Sequence, residues 1–322
     1  PPVLRRAAAR RLAALADLRD DDGHPLVPAA HPDRWWGLVE PTDPGVPVRD
    51  PGTPVKLSGS SVSKVRDCAL NWFLGSEVHA DSPRSAALGF GNVVHALADE
   101  VGTGATPAEL PVLMDRLDRV WDALAFDAPW QSAQQKDEAR TALERLLSWH
   151  THERHRVVAA TEHAFEVELT AGEYQVVVRG SMDRVERGDD GLAYVVDFKT
   201  GRKAPTKAEI EQHPQLAVYQ VAVTGGALDE LPEFEGGRPG AGGAELVQLR
   251  TSEKDDPAQP LVQTQPPPQA EADGGTWVGG LLADVAGRIL GERFTPSTGS
   301  HCDRCDFRKC CSARPEGRMT VE

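Results

Sequence analysis

The hydrophobic period of the chain changes more than once along its length. Residues 3–18 are rich in Ala, Arg and Leu at helical spacing. Residues 19–56 then carry Asp and Pro clusters around an aromatic anchor, Trp35-Trp36. From Leu57 the pattern tightens. S-G-S-S offers a serine cap, and Val62, Val65, Ala69, Trp72 and Phe73 follow at the spacing of one helix face. Further helices are predicted over G-F-G-N-V-V-H-A-L-A-D-E-V (89–101), around 107–125 and over 133–157. The period then falls to two. H-A-F-E-V-E-L (163–169), Y-Q-V-V-V-R-G-S-M-D-R-V-E (174–186) and L-A-Y-V-V-D-F-K-T (192–200) read as strands, the last two joined by R-G-D-D-G. A helix returns over 211–223, with Pro214 tolerable in its first turn. Residues 225–243 read as a Gly/Pro-rich loop, 244–252 as a further strand and 259–274 as a Pro/Gln-rich loop. The segment 276–290 reads as an amphipathic helix that delivers the chain to a cysteine cluster. No internal repeat is present.

Composition narrows the function classes. With 322 residues, 40% of them hydrophobic, the chain can bury one sizeable core with appendages or two modest domains. It holds no apolar run long enough to cross a bilayer and no signal-like start. It reads as a cytoplasmic protein, or as a piece of a longer one, without a membrane partner. The net charge of -14 argues against a general nucleic-acid coat and leaves room only for a narrow basic channel. Only eight of the 35 basic residues are lysines, so a lysine inside an apolar strand stands out.

That lysine is Lys199, in V-V-D-F-K-T-G. In an antiparallel hairpin the numbers of facing residues have a constant sum. A turn centred on Asp190 gives 380, which sets Asp183 opposite Asp197 with Cβ atoms roughly 5 Å apart. Side chains alternate along a strand, so Lys199 shares the face of Asp197. Two carboxylates this close repel unless one is protonated or a cation lies between them. Oxygen ligands with open positions suit Mg²⁺ or Mn²⁺ and a phosphate-bearing substrate, and a neighbouring lysine can serve the attacking water. Taken alone, the same residues also fit a salt-bridged structural hairpin.

The five cysteines are Cys68 and a terminal group, Cys302, Cys305, Cys310 and Cys311. Clustering without a secretory signal favours metal over disulfides. Four thiolates hold tetrahedral zinc or a [4Fe-4S] cluster, and spacing does not separate the two.

G-N-V-V-H (Gly91–His95), G-S-M-D-R, V-V-D-F-K-T-G and Q-L-A-V-Y (Gln215–Tyr219), in this order, resemble the motifs of the RecB-like branch of the PD-(D/E)xK nucleases. The resemblance covers about residues 57–315, and Met182 stands where the superfamily's name has proline. It implies an α/β fold, a mixed central sheet flanked by helices. It implies metal ligation by His95, Asp183 and Asp197, a catalytic Lys199, and Gln215 and Tyr219 on the DNA side. The spacing of Gln215 and Tyr219 puts both on one helix face, consistent with that role. The Cys68 helix and the terminal C-x2-C-x5-C look like the iron–sulfur staple of AddB-type and CRISPR-adaptation nucleases of the same branch. That implies Cys68, Cys302, Cys305 and Cys311 as [4Fe-4S] ligands, with Cys310 left over.

These readings together make residues 1–56 a lead-in and 57–322 a RecB-like nuclease domain, with flexible loops at 225–243 and 259–274 and the cysteine cluster at 301–311. The lead-in and W-W-G-L resemble the C-terminal nuclease domain of actinobacterial AdnAB- or AddAB-type helicase–nucleases. The implied activity is Mg²⁺- or Mn²⁺-dependent DNA hydrolysis, exonucleolytic on single strands, during double-strand-break resection in the nucleoid. The implied partners are DNA and a helicase motor in cis or in a partner subunit, because no Walker A motif occurs here. The rival readings are a catalytically inactive DNA-end-binding or scaffolding domain and a zinc-stapled interaction protein.

Overall fold

A computed structural model describes residues 2–34, 45–81, 87–124, 126, 128–152, 155–271 and 275–318. Trp35-Trp36 lies outside these. The chain divides into two compact units, residues 1–48 and 49–322. The first contains helix α1 (Pro2–Ala16), two single 3-10 turns and an isolated bridge between Arg19 and Pro25.

The second unit follows chain order β1 (Val55–Leu57), α2 (Gly59–Asp67), α3 (Ala69–Trp72), α4 (Ala87–Gly102), α5 (Leu110–Trp121), α6 (Pro129–Thr151), β2 (Arg156–Ala171), β3 (Tyr174–Gly188), β4 (Ala193–Lys199), α7 (Lys207–Glu211), α8 (Pro214–Thr224), β5 (Ala241–Ser252), β6 (Pro260–Gln265), α9 (Trp277–Leu290) and α10 (Pro315–Arg318). The strands form one six-stranded mixed sheet in the order β1-β3-β4-β5-β6, with β2 on the other edge of β3. The pairs β1–β3 and β4–β5 are parallel, and the other pairs are antiparallel.

The sheet is covered on both sides. Val195, Ala244 and Leu246 pack with α2, α8 and α9 through Val62, Leu216, Val218 and Leu282. Val196, Phe198, Val247 and Leu249 pack with α4, α5 and α6 through Val94, Leu117, Leu143 and Trp149. That is why β4 reads as an almost unbroken apolar run rather than an alternating one. Asp197 interrupts that run while only 1% exposed.

Several boundaries differ from the sequence pattern. β1 straddles the expected boundary at 56/57, because a three-residue strand gives too little periodicity to register. β6 occupies the expected Pro/Gln loop. Its glutamines serve as side-chain tethers, with Gln263 Nε2 donating to Pro205 O (2.7 Å) and Gln265 Nε2 to Ile210 O (2.8 Å). β2 extends seven residues upstream of His163, into the end of the helix expected to run to 157. It carries a bulge between Val158 and Ala160 that resets its register.

The layout of β3 positions the site. Its residues Val176–Val178 pair with β1, and Arg184–Arg187 pair along the same edge with β4. Between these ladders that edge opens, and Asp183 lies where it opens.

Candidate active site

The turn joining β3 to β4 is tied by Asp190, whose Oδ1 accepts from Leu192 N (3.0 Å) and whose Oδ2 accepts from Tyr194 Oη (2.8 Å). Gly191 takes φ +76°, the left-handed value such a turn needs. The observed register, Arg184↔Val196 through Arg187↔Ala193, has the sum 380. One step beyond its last pair, the Asp183 side chain takes over from the backbone, and Oδ2 accepts from Phe198 N at 2.7 Å.

Helix α4 brings His95 to the same carboxylate, with Nδ1 3.2 Å from Asp183 Oδ2. On the neighbouring strand Lys199 Nζ sits 2.6 Å from Asp197 Oδ2. The contact is a close ion pair on a carboxylate that is 1% exposed. Lys199 Nζ also donates to Gln215 Oε1 (2.9 Å), and Gln215 Nε2 donates to Tyr219 Oη (2.7 Å). Helix α8 thus braces the lysine from behind. Tyr219 is 5% exposed, with its ring edge-on to Phe165, so most of it belongs to the core. The helix is held close by a glycine: a Cβ at Gly59 would lie 2.9 Å from Gln215 Cα.

Sequence reasoning missed Glu162. Ligand atoms of His95, Glu162 and Asp183 all lie within 4.8 Å of one another. The β2–β3 register here, Thr161↔Arg184 and His163↔Met182, sums to 345, which sets Glu162 opposite Asp183. The constant-sum argument that paired the aspartates would have found it, had the strand been extended one residue upstream. Glu162 adopts φ +43°, a left-handed conformation uncommon for a non-glycine residue, and accepts from Ser181 Oγ (3.2 Å).

The electrostatics are those of crowded anions. Burial pushes Asp197 up to about 6, opposed by Lys199 and reinforced by Asp183. Glu162 is raised by burial and then by the charge of Asp183. Burial pulls the His95 imidazole down, but its hydrogen bond to Asp183 and the charges of Asp183, Asp197 and Glu162 outweigh this and hold it above its ordinary value. Burial and then the charge of Asp197 push the Tyr219 phenol far up. Three carboxylates and a histidine face one ammonium. This donor set fits a hard divalent cation.

The cysteines differ in burial. Cys68, Cys302 and Cys311 are buried, Cys305 is half-buried and Cys310 is exposed. Asn71, three residues after Cys68, donates Nδ2 to Cys305 Sγ at 3.2 Å, which brings the α2–α3 segment to the C-terminal cluster. The only group of three or more potential ligand residues within 4.8 Å among the described residues is that of His95, Glu162 and Asp183.

Mixed sheet, flanking helices, and a hairpin carrying two aspartates and a lysine define a protein of the restriction-endonuclease-like α/β class. Residues 56–312 match the family model of the PD-(D/E)XK nuclease superfamily, and the chain belongs to that family. Among solved structures it is similar to one titled "Crystal structure of SSO0001", at 14% identity and a TM-score of 0.37. That match covers 80% of this chain and 86% of the other. No curated protein sequence gives a significant match. No helix among the described residues is long and apolar enough to cross a membrane.

Proposed function

We propose that the chain is a divalent-metal-dependent deoxyribonuclease that hydrolyses phosphodiester bonds of DNA ends, working exonucleolytically on single strands beside a helicase motor in double-strand-break resection. The observation that carries this reading is the convergence of Asp183, Asp197, His95 and Lys199 at the opening between the β1 and β4 ladders. His95, Asp183 and Asp197, with Glu162 beside them, would hold Mg²⁺ or Mn²⁺, which supplies a Lewis acid and acidifies bound water.

The chain's own groups do the rest. Lys199 holds an ammonium at the mouth of the site, fixed by Asp197 and Gln215, where it orients the attacking water and offsets charge growing on the phosphate. Gln215, half-buried on the DNA side, sets that ammonium's position, and Tyr219 supports Gln215 from the core. Cys68, Cys302, Cys305 and Cys311 would hold a [4Fe-4S] cluster that ties the α2–α3 segment to the C-terminal tail, a structural role supported by the burial of Cys68, Cys302 and Cys311 and by the Asn71–Cys305 contact. Action in the cytoplasm, on the nucleoid, follows from this reading.

End-labelled DNA incubated with Mn²⁺ tests it. Cleavage by the wild type and none by Asp197→Asn is the expected result. Undiminished cleavage by the variant removes Asp197 from the machinery, and binding without any cleavage by the wild type favours the inactive end-binding module.

A further inference from the structure

Beside the carboxylate site lies a cleft of about 580 Å³ between α6 and the ends of β4 and β5. Its basic wall is made by Arg145, Arg202 and Arg250. Arg202 and Arg250 both grip Glu138, the former at 2.7 Å, so this one acid fixes two guanidinium groups without neutralising both. Arg145 donates to the carbonyls of Pro257 (3.1 Å) and Leu249 (3.2 Å) and pairs with no acid among the described residues. Against three arginines stand only Glu138 and the exposed Asp137, which leaves the cleft positive in a chain of charge -14.

Two further observations relate the cleft to the site. Arg250, held beside Gln135 and Glu138 of α6, donates to Thr200 O (3.4 Å), the residue next to Lys199, so this stretch of the cleft adjoins the hydrolytic site. Before these residues on α6, and outside the cleft lining, Trp130 is 70% exposed at the start of the helix. It lies on the same helix face as Thr141 and Arg145, which follow it by eleven and fifteen residues, about three and four turns. From Trp130 to Arg145 the helix runs roughly 22 Å, the reach of a handful of nucleotides.

We infer that this cleft is a single-strand nucleic-acid track along α6, in which Trp130 stacks on a base at one end, Arg145 meets a phosphate at the other, and Arg202, with Arg250 behind it, holds the strand beside Lys199 between them. A positive groove with an exposed aromatic platform takes unpaired bases because their faces are free, whereas a duplex hides them. The track deepens the nuclease reading by naming the residues that hold the strand, and rests on that reading for its relation to the hydrolytic site.

Binding of fluorescent oligodeoxythymidine of roughly 8–16 nucleotides in EDTA tests the track without turnover, over a range of salt concentrations. Trp130→Ala is expected to weaken binding roughly 5- to 100-fold, and wild-type Trp emission is expected to be quenched by the strand. Arg202→Gln is expected to lower the salt slope by about one. Arg145→Gln is expected to do the same if it folds, and a matching melting temperature shows that it does. Unchanged affinity in Trp130→Ala together with an unchanged slope in Arg202→Gln overturns the track, as does equal dependence on Trp130 for duplex of the same length. Wild-type cleavage is measured in parallel with Mn²⁺. Cutting that persists while binding ignores these residues refutes the track alone, and binding with the expected slope but no cutting refutes only the hydrolytic reading.

Discussion

Gly59→Ala sets two effects of opposite sign against each other. Alanine is the better helix former by up to about 1 kcal/mol in a helix interior, and less at the first helical position, which Gly59 occupies after its cap Ser58. The added methyl, however, would stand 2.9 Å from Gln215 Cα, 3.0 Å from its Cγ and 3.2 Å from its Cβ. Carbon pairs rest at about 3.5–4.0 Å, so α2 and α8 must part by roughly 0.5–1 Å. The nearest atom is backbone and cannot swing away, and overpacking of this kind costs about 1–3 kcal/mol. The clash therefore wins, and the melting temperature should fall by roughly 2–10 °C. The same displacement pulls Gln215 from Lys199, whose bond is 2.9 Å long. A misplacement near 1 Å costs on the order of 10²-fold in rate, so cleavage should fall roughly 10- to 100-fold. Thermal unfolding followed by circular dichroism, together with single-turnover cleavage at saturating Mn²⁺, reads both effects. A variant as stable as the wild type that cuts at the wild-type rate would refute the tight α2–α8 contact and the bracing of Lys199 through it.

Three other expectations are sharp. Glu162→Gln should weaken Mn²⁺ binding roughly 10- to 100-fold with an unchanged fold, measured by calorimetry; an unaltered isotherm removes Glu162 from the metal site. His213 caps α8 through Nδ1, which accepts from Leu216 N at 3.5 Å. Burial, then Lys199 and Arg66, push the ring down to about 4. A histidine lowered in the fold gives stability that is complete above its unfolded value of 6.5 and is lost as pH falls from there toward about 4. Denaturation midpoints of His213→Asn, which keeps an acceptor but cannot titrate, should therefore decline less than those of the wild type over that window, and parallel curves would discard the link. Cys310→Ser should keep a brown chromophore in anaerobically purified protein, while Cys311→Ser and Cys68→Ser should bleach it; the reverse pattern at 310 and 311 shifts the ligand assignment by one.

What the sequence disclosed follows from how local each signal is. The Asp183–Asp197–Lys199 face was legible because a short hairpin turn fixes its own register, and Asp190 and Gly191 mark that turn. The place of His95 beside Asp183 was legible only through the order of motifs, since nothing in α4 itself distinguishes a histidine turned toward a carboxylate from a packed one. Glu162 was hidden by strand length, for the reading of β2 began one residue too late. The edge strands were the weakest signals, β1 because it is three residues long and β6 because Gln263 and Gln265 look like loop residues until their tethers to 205–213 are seen. The bracing of Lys199 by α8 was legible only as an i, i+4 face, because the glycine contact that presses α8 home comes from α2, more than 150 residues away in sequence.

The opening between the β1 and β4 ladders also sets an order of events during folding. The β3–β4 hairpin closes a loop of about six residues, from Arg187 to Ala193, whereas β1 reaches β3 by joining Val55 to Val176, which are 176 − 55 = 121 residues apart. Loop-closure entropy makes the second event costlier by roughly 3 kcal/mol, so the aspartate hairpin forms early and the opening takes shape only when β1 docks. His95 reaches Asp183 by a long-range closure of its own, across 183 − 95 = 88 residues. A nascent chain thus passes through a stage that has its acidic pair but not its histidine, and the His95–Glu162–Asp183 group is completed by a long-range contact rather than by the first hairpin.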